Sequence, residues 1–192
     1  MKRDVEAYLL KQRLIPSDQC SEIIADLAFE NVWREYPYDS PSQNICVTEN
    51  PEIAYYDARL PEDHDVSKFI QEKIKKVGEE YVTDFLADLP WFSYLTGNSQ
   101  AHYIKYPTGS GMDTHCDHVR NQFDGTKRGI PILTALCMLN DNYEGGELKF
   151  WEDMYIKPKA GEIIMFPSNF LYPHKVMPVT KGTRYSFVVW LW

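Results

Sequence analysis

The sequence is short of the residues that usually announce a function. It has four cysteines, at positions 20, 46, 116 and 137, and no two form a Cys-x-x-Cys pair. They are read as reduced thiols of a cytosolic-type compartment, so a cytoplasmic location is expected. Positive charge is in deficit: 20 basic residues against 28 acidic ones leave a formal charge of −8. Such a field repels a nucleic-acid backbone, and the short basic runs KQR and KKV are mixed with acids, so no nucleic-acid partner is expected. Long apolar runs are missing. MKRDVEAYLLKQRL is interrupted by Asp4 and Glu6, does not read as a secretory signal, and no stretch is long enough to cross a bilayer. Gly145 and Gly146 lack an accompanying GxxxxGK pattern, so they read as a tight turn needing positive φ and not as a phosphate loop. There is no internal repeat and no low-complexity segment.

What is present suits a single domain over residues 1–192, with 44% hydrophobic and 14% aromatic residues. Residues 5–15 read as an opening strand. Ser17 is placed to N-cap a helix over 18–29. Residues 31–60, punctuated by Pro and Asn, predict irregular chain with short strands around Ile45–Val47 and Ile53–Tyr56. In 66–89 the apolar residues Phe69, Ile70, Ile74, Val77, Tyr81, Phe85 and Leu86 make one helical stripe, weakened at Gly78. Helical support therefore occupies residues 17–89. From residue 91 the pattern changes to short apolar runs between turns: WFSYL, AHYIKY, PILTALCML, GELKFW, GEIIMFP, FLYPHKV and RYSFVVWLW. ILTALCML and YSFVVWLW are apolar on both faces and predict strands covered on both sides. The expected fold is mainly β: a jelly roll, or double-stranded β-helix, over 91–192 supported by N-terminal helices.

Histidine is scarce too, at five residues, yet TGSGMDTHCDH places one two residues before a carboxylate. If 113–117 is a strand, His115 and Asp117 share a face and Cys116 points away. A facial triad of two histidines and one carboxylate needs one more ligand. His64, in EDHD, reads as solvated or capping. His102 alternates with Ile104 and Tyr106. His118 falls on the wrong face of an unbroken strand. His174, opening a distant strand after GEIIMFPSNFLYP, has the best setting. Arg184 begins the last strand, with Ser186, Val188 and Trp190 on its own face and Tyr185, Phe187, Val189 and Leu191 on the other. An arginine there cannot be buried unpaired. Its partner is either an internal acid or the carboxylate of a small ligand, to which Ser186 could add a hydroxyl.

Four stretches carry a family resemblance: YPTGSGMDTHCD, MLNDNYEGGELKFW, KPKAGEIIMFPS and YPHKVMPVTKGTRYSFVVWLW. In order and spacing over about residues 100–192, the chain resembles the iron(II)- and 2-oxoglutarate-dependent dioxygenases of the prolyl 4-hydroxylase-like branch, and LIPSDQCSEII is more loosely similar to that family's opening strand and helix. The resemblance implies His115, Asp117 and His174 as iron ligands. It implies Arg184 on the distal carboxylate of 2-oxoglutarate, the carboxylate to which Ser186 could add its hydroxyl, and Tyr106 hydrogen-bonding the same cosubstrate. Trp190 corresponds to a tryptophan near the peptidyl-proline pocket. Leu148 and Met138 depart from the family, which often has threonine and tyrosine there.

The resemblance implies hydroxylation of a C–H bond of a prolyl residue in a peptide or protein, with succinate and carbon dioxide released. Iron(II) and 2-oxoglutarate are the implied cofactors, with ascorbate as an auxiliary. Residues 118–129 follow the ligands as either a surface loop or a flap over the substrate mouth, whose Arg120 would contact an acidic peptide. Three rivals stand beside this. One keeps the chemistry on a free amino acid or other small molecule. One is a non-enzymatic jelly-roll binding module, in which His115, Asp117 and His174 do not converge. The third, nucleic-acid demethylation, is opposed by the acidic charge and by Trp190 where a second arginine would stand. Oligomeric state is not legible.

Overall fold

The computed structural model describes residues 5–35, 55–87, 95–117 and 131–192. Among them two α-helices precede most of the strands: α1 (Ser17–Phe29) and α2 (Asp65–Phe85). The strands are β1 (Leu10–Arg13), β2 (Arg34–Glu35), β3 (Tyr56–Ala58), β4 (His102–Pro107), β5 (Met112–His115), β6 (Leu133–Met138) and β7 (Glu144–Gly145). They continue with β8 (Leu148–Phe150), β9 (Met154–Ile156), β10 (Glu162–Pro167), β11 (His174–Val176), β12 (Val179–Lys181) and β13 (Thr183–Leu191). A major antiparallel sheet runs β1-β10-β6-β13-β4-β3-β2, and a minor one runs β5-β11-β8-β9, with β12-β7 as a separate pair. This is the expected double-stranded β-helix.

Alternation along the central strands creates two cores. Phe187, Val189 and Leu191 of β13 join Tyr103 and the apolar stripe of α2 (Ile70, Ile74, Val77, Tyr81) in an outer core beneath the helices. Val188 joins Ile104, Tyr106, Leu136, Met138, Ile164, Phe166 and Phe150 in an inner core between the sheets. The doubly apolar β6 and β13 are covered on both faces because they lie in the middle of the major sheet. Burying each such aliphatic or aromatic side chain contributes roughly 1.5–3 kcal/mol.

Local differences from the sequence reading have local causes. The opening strand shrinks to β1, preceded by a 3-10 turn at Val5–Tyr8. The first helix includes Ser17. Pro16 stands before it in extended conformation (φ −59°, ψ 147°), and no side chain caps that end. The second helix begins at Asp65, with His64 Nδ1 accepting from the Val66 N–H, and closes at Phe85 where Leu86 leaves helical ψ. Gly78 does not break it. A Cβ there would meet the Leu191 side chain at 2.8 Å, so glycine lets α2 lie close on β13. Of the short strands expected in 31–60, the one around Ile53–Tyr56 is β3, shifted to begin at Tyr56; β2 was not foreseen, and Ile45–Val47 lies outside the described residues. Of WFSYL only Leu95 is described, and it is not in a strand.

Candidate metal centre

β5 and β11 are paired antiparallel with His115 directly opposite His174, which is how two histidines far apart in sequence become neighbours. Their ring centroids are 4.4 Å apart. Asp117 reaches the same point by a different route from the one its spacing suggested. The strand ends at His115 and Asp117 sits in a bend, so turning of the chain, not strand alternation, brings its carboxylate in. Asp117 Oδ1 is 3.4 Å from His115 Nε2, and Oδ2 is 3.9 Å from His174 Nε2. One ligand atom from each of the three residues lies within 4.8 Å of the others, and Asp117 and His174 are buried.

The hydrogen bonds behind these groups set their state. His115 Nδ1 donates to the Asp113 carbonyl at 2.8 Å and His174 Nδ1 to the Tyr172 carbonyl at 3.1 Å. A carbonyl only accepts, so Nδ1 carries a hydrogen in both rings and Nε2 of each ring is turned toward Asp117. Asp117 Oδ2 accepts from Thr134 Oγ1 at 2.7 Å, and Thr134 shares a 2.8 Å hydroxyl contact with Ser168. Burial would raise the Asp117 carboxyl, but the charges of His174 and His115 and the bonds from His115 and Thr134 outweigh it and hold it well below its usual value. Burial pushes His174 down to about 4. Burial would also lower His115, but its hydrogen bond and charge interaction with Asp117 prevail and raise it. Phe150 and Phe166 flank His174 with ring centroids 5.4 and 4.9 Å away, keeping that side dry. A divalent cation would bring to one point, shared by all three groups, the positive charge that His115 otherwise offers the Asp117 carboxylate.

Arg184 lies on the inner face of β13, the face that Val188 turns to the inner core. It is fully buried, donates from Nη1 to Ser186 Oγ at 2.9 Å, and lies 5.1 Å over the Tyr106 ring. Its Nε and Nη2 are buried without acceptors, and no ion pair to it is found among the described residues. The internal-acid alternative is therefore unsupported among the described residues, and two orphaned guanidinium donors fit an incoming carboxylate. Tyr106 stacks on Tyr55 at 5.3 Å, and its hydroxyl approaches Met112 Sδ at 3.8 Å. Tyr143, whose hydroxyl contacts Met138 Sδ at 3.7 Å, is pushed up by burial against the lowering charge and close approach of Arg184; the phenol is therefore neutral, and it leaves Nε and Nη2 without a hydrogen bond of good geometry.

Trp190 is half-buried near the other end of β13, its Nε1 buried without an acceptor. Arg120, His118 and the 118–129 loop fall outside the described residues. Thr134, Ser168, Tyr143 and Asp57 were not singled out in the sequence. A polar residue inside the doubly apolar ILTALCML was the available signal for Thr134.

The 2OG-Fe(II) oxygenase superfamily model matches residues 101–192. A PKHD-type hydroxylase of Xanthomonas campestris pv. campestris is 32% identical over 144 residues, covering 70% of this chain and 59% of that protein. The PKHD-type hydroxylase PiuC of Pseudomonas aeruginosa is 30% identical over 144 residues, covering 71% of this chain and 60% of its own. The chain thus spans about three fifths of the length of these curated relatives. A Pseudomonas putida prolyl-4-hydroxylase superposes with TM-score 0.68 at 19% identity, covering 98% of this chain and 95% of that one. A Trichoplax adhaerens prolyl hydroxylase in complex with a hypoxia inducible factor oxygen degradation domain peptide gives 0.69 at 18% identity, over 96% of this chain and 83% of that one. Residues 101–192 thus match the 2OG-Fe(II) oxygenase superfamily, and the chain takes the fold of the prolyl 4-hydroxylases.

Proposed function

We propose that the protein is an iron(II)- and 2-oxoglutarate-dependent dioxygenase that hydroxylates a C–H bond of a prolyl residue in a peptide or protein. The observation that carries this reading is the convergence of His115, Asp117 and His174, together with the buried, incompletely satisfied Arg184. The donor set fits iron(II), because two imidazoles and one carboxylate bind one face of that ion and leave positions open. The orphaned Arg184 donors fit the far carboxylate of 2-oxoglutarate. Bound iron(II) with 2-oxoglutarate would supply oxygen activation, with hydroxylated product, succinate and carbon dioxide as the outcome.

The chain's own residues orient and exclude. Thr134 fixes the Asp117 carboxylate, and the Asp113 and Tyr172 carbonyls fix the ring orientations of His115 and His174. Arg184 and Ser186 hold the cosubstrate, with Tyr106 beside them, and Phe150 and Phe166 keep water from the ligands. Trp190 and Arg120 are assigned to the substrate, and ascorbate would serve only to keep iron ferrous. The Trichoplax neighbour's bound peptide supports a peptide substrate over a free amino acid.

The test is succinate formation from 2-oxoglutarate under iron(II), screened over proline-containing peptides and free amino acids. Substrate-stimulated succinate with one oxygen atom gained by a peptide is expected. Arg184→Gln should raise the 2-oxoglutarate KM by about 10- to 100-fold, the loss of a charge-assisted pair. No consumption of 2-oxoglutarate with any substrate would overturn the reading.

A further inference from the structure

We propose that Tyr143 donates its phenol hydroxyl to the far carboxylate of 2-oxoglutarate and so helps to select a dicarboxylic 2-oxo acid. This rests on the oxygenase reading above and gives a role to a residue that the reading leaves unused.

Strand register assembles the surroundings of that carboxylate. Arg184 lies across from Tyr106 of β4, and Ser186 lies across from Met138 of β6. Tyr106 and Met138 belong to the inner core, together with Leu148 and Tyr143. An ionised carboxylate has about four sites that accept hydrogen bonds, and burial makes an unfilled one costly. Arg184 offers two donors, Nε and Nη2. Ser186 Oγ accepts from Arg184 Nη1 and keeps its own O–H to give. Met138 and Leu148, both buried, have no side-chain donor.

Tyr143 brings a further donor. The residue is buried, and its hydroxyl rests on Met138 Sδ at 3.7 Å, where the thioether is a weak acceptor. The Arg184 guanidinium stands close by: burial raises the phenol's pKa, and the charge and hydrogen bonding of Arg184 act against that rise. A hydroxyl held on sulfur gives up little when it turns to an anion, and a hydrogen bond to a carboxylate is roughly twice as strong as one between neutral groups. Hydroxyl and guanidinium are thus side by side, within reach of one carboxylate.

Two features of the chain hold them there. Gly146 has φ +65°, and a Cβ at that position would lie 3.0 Å from Tyr143 Cε2 and 3.1 Å from Arg184 Cδ, so glycine lets the two side chains pass close together. Lys157 Nζ donates to the Tyr143 carbonyl at 2.9 Å and stands over the Tyr143 ring, 4.5 Å from its centroid, attracted to the ring face. A 2-oxo acid without a far carboxylate can still chelate a metal, but it leaves Arg184 and Tyr143 unengaged.

The experiment titrates 2-oxoglutarate, and separately pyruvate, into the cobalt(II)-loaded full chain by calorimetry. Pyruvate shares the chelating end and lacks the far carboxylate. Tyr143→Phe should weaken 2-oxoglutarate binding about 10- to 100-fold, as loss of a charge-assisted hydrogen bond predicts, and leave pyruvate within about twofold. Met138→Leu removes the sulfur at similar volume, so its 2-oxoglutarate affinity should stay within about twofold of the wild type. Cobalt(II) affinity should be the same in all three proteins. An unchanged 2-oxoglutarate affinity in Tyr143→Phe overturns the proposal and leaves the oxygenase reading standing. So does an equal loss for pyruvate or for cobalt(II), or the same loss in Met138→Leu, since each makes the hydroxyl a tether of the core. If the wild type binds no 2-oxoglutarate, both readings fail.

Discussion

At the scale of single residues, hydrogen bonds behind the candidate ligands determine what those ligands can do. His115 and His174 each commit Nδ1 to a backbone carbonyl, which leaves Nε2 as the donor atom. Thr134 does the corresponding work for Asp117. Thr134→Val, close in shape but without the hydroxyl, should weaken cobalt(II) binding about 10- to 100-fold by calorimetry, while Thr134→Ser should stay near wild type. His174→Ala and Asp117→Ala should abolish high-affinity binding in the same assay. Away from the candidate ligands, burial pushes the Cys20 thiol up to about 11 and raises Cys137 well above its ordinary value. Iodoacetamide at pH 8 should therefore leave both unmodified in the folded protein and alkylate both in guanidinium, as mass spectrometry would show.

At the scale of elements, turns locate the strands that carry these residues. Gly161 opens the turn into β10 with φ +78°, and a Cβ there would lie 1.8 Å from the Ile15 carbonyl oxygen, which is backbone and cannot step aside. Gly161 also accepts from the Leu14 and Ile15 N–H groups, joining the chain entering α1 to the major sheet. Gly161→Ala should destabilise the fold by about 1–3 kcal/mol in urea unfolding, more than an exposed turn glycine would. The alternation that sent Arg184 and Ser186 to one face and Phe187 to the other was legible in the sequence, because a period of two needs only local information. The resemblance extended that to His174. The bend that carries Asp117 was not legible, since it depends on where β5 stops pairing with β11. Nor were the Thr134–Asp117 and His102–Asp57 bonds, whose partners lie 17 and 45 residues apart. Periodicity reveals which face a side chain takes; which other side chain meets it there depends on strand order.

At the scale of the whole molecule, a cation held by β5, the following bend and β11 would tie distant parts of the chain together. Manganese(II) at about 100 times its Kd should stabilise the fold by about 2.7 kcal/mol, a rise in Tm of roughly 5–10 °C for a chain of this size. Chelation should reverse the rise, and His174→Ala should show none. Among the described residues no helix is long and apolar enough to cross a membrane. The net charge of −8 predicts that a labelled DNA duplex will not bind at physiological salt in a gel-shift assay. β13 divides the interior into two compartments with separate residents. Sequence drift under α1 and α2 can consequently retune robustness while reactivity stays put, and variation on the opposite side can redirect selectivity on an unaltered chassis. The two properties are free to evolve on different schedules within one ribbon of nine residues.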